Sequence, residues 1–239
     1  MVRHGGLSPA RKGVRLTVAN KTAKPIFITL AALIALVGSL AFIFIKVGSW
    51  LAVADAFPAR LDIIYTFGGE NIRISYSREL MRRFPEAHWV ISDYGHRYAR
   101  LLLRQGFDMS RVTILDTCRS TISEVSGLAQ WLKNQKGAPQ ADDSGVLDSG
   151  ESGKPADLTS RPLHIGLVSN PMHMRRIRLI AEKTFRDPAI RLHCLPVPPE
   201  RYGWSRRTIG HWWKVKGLRT WVGLETGKIL IFWALFSWG

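Results

Sequence analysis

The chain has 239 residues, 46% of them hydrophobic and 10% aromatic, enough for a globular domain with a sizeable core, and this excludes disorder throughout. Two cysteines exclude a disulfide-stapled mini-protein or a cysteine-rich zinc module, and nine tryptophans exclude a collagen-like or low-complexity chain. The net charge of +16 is uneven: residues 1–24 carry six Lys or Arg and no acid, and residues 162–239 carry thirteen against four.

Residues 1–24 read as a basic tail. From Pro25 to Ile45 there is no charge among twenty-one residues, long enough at about 1.5 Å per residue to cross a hydrocarbon layer of about 30 Å. Six basic residues precede this run and only Lys46 follows closely. The positive-inside rule therefore predicts a cytoplasmic N-terminus and an extracytoplasmic body. Ala52-Val53-Ala54 has the small-x-small pattern of a signal-peptidase site, but the apolar run is longer than a signal h-region, so an uncleaved single-pass anchor is expected.

After a linker at 46–60, the chain alternates short β-branched runs with stretches of helical periodicity. The predicted strands are Asp62–Phe67, His88–Ser92, Arg111–Leu115, His164–Ser169 and Arg191–Val197. The predicted helices between them are Ile72–Phe84, Tyr94–Gln105, Ile122–Asn134 and Met174–Arg186. This order predicts a Rossmann-like α/β domain over 61–200, with a mostly parallel sheet of about five strands and helices on both faces. Thr121 and Glu124 have the spacing of a capping box. Residues 135–161, rich in Gly, Ser, Asp and Pro, read as a solvated insertion.

The C-terminal segment 201–239 holds six of the nine tryptophans with several Lys and Arg. That mixture suits a membrane interface; packing of the same aromatics on the sheet domain or on the anchor is the alternative. The uncharged run from Ile229 to Trp238 is too short to span as a helix.

In an open parallel sheet, ligands bind beyond the carboxyl ends of the strands. The first such loop is Gly68-Gly69-Glu70-Asn71-Ile72-Arg73, where paired glycines admit a close backbone approach. Arg73 opposes the helix dipole and calls for either Glu70 or a bound anion. The second loop, Ser92-Asp93-Tyr94, offers a carboxylate or a helix cap. The third, Asp116 to Thr121, offers the Ser120 and Thr121 hydroxyls at a helix N-terminus, and Cys118 as an inert thiol, a nucleophile or a disulfide partner of Cys194. The fourth runs Ser169-Asn170-Pro171-Met172-His173-Met174-Arg175-Arg176. There His173 reads as a general acid or base with Arg176 beside it, or as a packed histidine with Arg176 bound to an acidic neighbour. No metal-ligand pattern stands out, no cofactor is indicated, and the basic ends are explained by lipid headgroups, so no nucleic-acid partner is expected.

Three segments resemble the ElyC/SanA/YdcF family of bacterial envelope-associated proteins: Phe67 to Arg73 with its Gly-Gly and arginine, the Ser-Thr-x-x-Glu entry at Ser120 to Glu124, and Leu167 through His173 to Arg176. The resemblance implies an anchored extracytoplasmic α/β protein of the inner membrane. It implies a cleft for a phosphate-bearing cell-wall or polyprenyl-phosphate related precursor, lined by Gly68, Gly69, Arg73, Ser120, Thr121, Glu124, His173 and Arg176. The reading of the loops adds Glu70, Asp93, Ser169 and Asn170. The chain departs from the family at Ser92-Asp93-Tyr94, where Ser-Gly-Gly is usual, and in its long insertion. A non-catalytic role in holding a nucleotide-like or lipid ligand is the alternative.

Overall fold

The computed structural model describes residues 23–116, 119–137 and 161–236. The tail before Ala23, Cys118 and most of the predicted insertion lie outside the described residues. The chain divides into two units, Met1–Phe44 and Ile45–Gly239.

The first unit contains most of helix α1 (Ala23–Leu51). Its segment from Ile26 onward is long and apolar enough to cross a membrane, and its large side chains, such as Phe27 and Ile34, are exposed.

The second unit is built on a five-stranded parallel sheet, as the alternating pattern predicts, and its strands lie in the order β3-β2-β1-β4-β5. The strands are β1 (Ile63–Thr66), β2 (His88–Ser92), β3 (Val112–Leu115), β4 (Leu163–Val168) and β5 (Ile190–Cys194). Between them run α2 (Asn71–Arg83), α3 (Arg97–Arg104), α4 (Thr121–Gly137) and α5 (Met174–Thr184). After β5 come a short helix α6 (Arg206–Gly210) and the long α7 (Lys216–Phe236).

Alternation along the strands sends successive side chains to opposite faces and so makes two cores. Ile63 and Tyr65 of β1 and Ile165 and Leu167 of β4 pack against Val125, Leu128 and Leu132 of α4 and Ile177, Ile180 and Ala181 of α5. Ile64, Trp89 and Ile91 pack on the other face with Ile74 and Leu80 of α2 and Tyr98 and Leu102 of α3. Strands buried on both faces read as continuous apolar runs. β1 pairs with both β2 and β4, so the strand order reverses beside β1, the place where such sheets open a crevice.

α3 starts later than the sequence pattern indicates. Gly95 and His96 both have positive φ, at 82° and 55°, a left-handed turn that delays the first helical residue to Arg97. A third cluster lies outside the sheet. Leu218, Val222 and Ile229 of α7 and Trp212 bury themselves with Leu51, and Val47 and Trp50 pack against them. A Cβ at Gly48 would stand 2.6 Å from the Trp212 ring and 2.8 Å from the Ile209 carbonyl. Only glycine lets the last turns of α1 approach so closely.

Candidate functional site

A cleft of about 730 Å³ lies beyond the carboxyl ends of β1, β2 and β3. Its lining comes from the loops after these strands, with Arg176 from α5 and Lys228 from α7. Of the residues expected from sequence, Gly68, Gly69, Asp93, Ser120, Thr121, Glu124 and Arg176 line it. Glu70, Arg73, Ser169, Asn170 and His173 are not among the lining residues and support those that are.

Helix α4 is capped differently from the Thr121–Glu124 box. Ser120 N–H donates to Ser123 Oγ at 2.8 Å and Ser123 N–H donates to Ser120 Oγ at 3.2 Å. This reciprocal pair closes the helix start and releases Thr121 and Glu124 for the cleft. Glu124 Oε1 instead accepts the Gly68 amide at 2.8 Å, tying the β1 loop to α4. Burial pushes the Glu124 carboxyl above the usual glutamate value, against hydrogen bonds from Gly68 and Ser92 and the nearby Arg73 and Arg176.

Arg73 is spent on structure. It is buried, its Nη1 donates to the carbonyls of Phe67 and Gly68, and its Nη2 lies 3.4 Å from Glu70. The internal partner thus meets the cation that opposes the helix dipole. Gly69 has φ 126°, and a Cβ there would also press on this guanidinium at 3.3 Å. Glu70 accepts the Tyr202 hydroxyl at 2.9 Å and lies 3.4 Å from Asn170 Nδ2. Asn170 Oδ1 accepts the Met172 amide at 2.9 Å. Asp93 plays both parts open to it: its Oδ2 accepts the Tyr98 and Ala99 amides at 2.7 and 2.8 Å, capping α3, while it lines the cleft.

Arg176 is held by an acidic neighbour and still reaches the cleft. Its Nε donates to Glu225 Oε2 at 2.8 Å and its Nη2 to Oε1 at 3.2 Å, and Glu225 also binds Lys228 Nζ at 3.0 Å. Arg176 Nη1 donates to Thr121 Oγ1 at 2.6 Å. Behind Thr121 sits His173, with Nε2 at 2.9 Å from Thr121 Oγ1 and Nδ1 at 3.1 Å from Ser169 Oγ. Its ring meets Phe67 edge-on at 6.2 Å. Burial first, then Arg176, Arg73 and Lys228, lowers the His173 pKa well below the ordinary imidazole value.

A histidine kept neutral in the fold lets the unfolded chain bind the extra proton. Its contribution to stability is therefore complete above about pH 6.5 and is lost as pH falls below it. His173→Gln is expected to flatten the pH dependence of denaturant unfolding below pH 6.5 by up to one proton, about 1.4 kcal/mol per pH unit. An unchanged slope in the variant would mean that His173 takes up its proton in the folded chain.

Sequence reasoning missed the outer rim. Arg119 donates to the Tyr94 hydroxyl at 2.6 Å, with its guanidinium 4.6 Å from the centre of that ring. Arg97 donates to Asn71 Oδ1 at 2.8 Å and lies over the Tyr98 ring. Neither arginine is paired with a carboxylate among the described residues. The signal for them was the Tyr94 and Tyr98 aromatics beside basic residues, visible only once helix α3 is placed. Cys194, for which the sequence leaves pairing with Cys118 open, is a buried thiol, free among the described residues, whose pKa burial pushes up to about 12. No family model and no curated protein matches the chain.

Proposed function

We propose that this chain is a single-pass inner-membrane protein whose extracytoplasmic α/β domain binds an anionic, phosphate-bearing precursor of the bacterial cell envelope, peptidoglycan or polyprenyl-phosphate related. The observation that carries this reading is the charge of the cleft. Among the described residues, Arg97, Arg119, Arg176 and Lys228 line it against Asp93 and Glu124; Glu225 behind them pairs with Arg176 and Lys228, which leaves Arg97 and Arg119 without a carboxylate partner. The Asp93 carboxylate is occupied by two helix amides, and burial favours the protonated form of Glu124. Guanidinium forks and a helix N-terminus suit phosphate oxygens. The apolar α1 supports the anchor, and the basic tail before it supports the orientation. The ElyC/SanA/YdcF resemblance belongs to this proposal and supplies its envelope setting.

Calorimetric titration of the detergent-solubilised chain with inorganic phosphate and a hexose 1-phosphate tests it. Saturable binding that weakens at high salt and falls at least about tenfold in Arg97→Ala and Arg119→Ala is expected, because a charge-assisted hydrogen bond contributes roughly 1.5–3 kcal/mol. Absence of binding to both probes, or binding indifferent to both variants, overturns it.

Phosphoryl transfer is a second reading with one observation in its favour. The Thr121 hydroxyl lies against His173 Nε2 while Ser169 meets Nδ1, an order of nucleophile, base and orienting group. Thr121→Val that keeps phosphate binding but loses turnover of the phosphate ester would favour transfer; a chain without turnover is a binding protein.

A further inference from the structure

We infer that the last two turns of α7, from Leu230 onward, embed in the surface of the same bilayer that α1 crosses, giving the protein a second, shallow membrane contact independent of what the cleft holds. α7 has one inward stripe, Leu218, Val222, Glu225 and Ile229, each buried. Its outward side changes character along the axis. Lys216, Arg219 and Thr220 are exposed in the first turns. Past Ile229 the exposed side chains are Leu230 (57%), Ile231 (61%) and Leu235 (69%), with Trp233 at 46%.

A helix of a water-soluble surface keeps its polar face along its full length, whereas this one ends apolar on its outer side too. Seven residues from Leu230 to Phe236 cover about 10 Å, which enters a hydrocarbon layer of about 30 Å and does not cross it.

The occupant is fixed by continuity with α1. Val47, Trp50 and Leu51, the last turns of α1 inside the second unit, pack in the cluster that buries α7, and the Trp50 and Trp233 rings meet edge-on at 6.3 Å. These residues are the end of the apolar segment Ile26–Leu51, where a crossing helix leaves the bilayer, and α7 is packed against them. Trp204, Trp212, Trp213 and Trp221 gather in the same cluster, as tryptophans do at headgroup level. The exposed Arg206, Arg207, Lys214, Lys216 and Arg219 are suited to anionic headgroups. A consequence follows for the cleft: Lys228, which lines it, stands two residues before Leu230, about 3 Å along the helix axis. Lys228 thus brings one wall of the cleft next to the turns that embed.

The test places bimane on single cysteines in the full chain, L235C, I231C and T220C in a C118S background, reconstituted into vesicles of phosphatidylethanolamine and phosphatidylglycerol. Each is read with lipids carrying a quencher on the acyl chain. The three sites are exposed, so the substitutions leave the core intact. Quenching several-fold stronger at 231 and 235 than at 220 is expected. Equal, weak quenching at all three positions overturns the inference. So does concentration-dependent disulfide formation through L235C without quenching, since that outcome assigns the face to a second copy of the chain.

Discussion

Arg176→Ala is expected to lower the stability of the domain by about 3 kcal/mol and to abolish measurable phosphate binding together with it. Glu225 is 1% exposed, and Arg176 satisfies both of its oxygens. Without Arg176, Lys228 is its one remaining ion-pair partner among the described residues, and that ammonium is half exposed. A buried carboxylate that loses its main partner keeps its desolvation cost, which is why breaking such a pair costs about 3–5 kcal/mol; the residual lysine places this case at the lower end. The decisive comparison is Arg176→Ala combined with Glu225→Leu. Removing both charges is expected to restore most of the stability in denaturant unfolding while leaving phosphate binding lost. A double variant no more stable than the single one would show that the orphaned charge is not the cause. Arg176→Lys keeps a charge but not the fork that holds Glu225 on one side and Thr121 on the other, so partial loss of both properties is expected.

The second large effect lies in the opposite core. Trp89 is fully buried, its Nε1 donates to Thr66 Oγ1 at 2.8 Å, and its ring meets Phe107 edge-on at 5.4 Å. Trp89→Ala removes a large side chain from the middle of β2 and is expected to cost about 3–5 kcal/mol. Trp89→Phe keeps most of the volume and loses the donor. The Thr66 hydroxyl retains Ser77 at 2.6 Å, so the cost is expected nearer 1 kcal/mol. Chemical unfolding of both variants reads the order directly. An alanine cost below about 1 kcal/mol would mean that α2 and α3 do not close this face as a packed core.

Cleft residues differed in how readable they were. Gly68, Gly69, Ser120, Thr121, Glu124 and Arg176 are found from sequence because the end of a parallel strand is a fixed address in the fold. Their division of labour was not readable. Arg73 and Arg176 look alike as arginines near helix starts, yet one is consumed by backbone carbonyls beneath its own loop and the other reaches the cleft. His173 belongs by sequence to the loop after β4, but its orientation toward Thr121 and Ser169 depends on where α4 sits. Ser120 and Ser123 took the capping role expected of Thr121 and Glu124 because Glu124 found a better donor in Gly68, 56 residues away.

The sequence by itself determined the apolar first helix, the strand and helix order, the two-faced burial of the sheet and the edge at which a site would form. These follow from local regularities, the periods of two and 3.6 residues and the length of an uncharged run, which each segment carries alone. Only the tertiary structure decided that Lys228, from the last helix, completes a cleft begun by the first strand while Glu225 of the same helix holds Arg176 there, that Arg97 and Arg119 form its rim, and that α7 packs one side inward and leaves its apolar end exposed. Such pairings join residues separated by dozens of positions, and a buried charge selects whichever partner the packed chain brings within hydrogen-bonding distance.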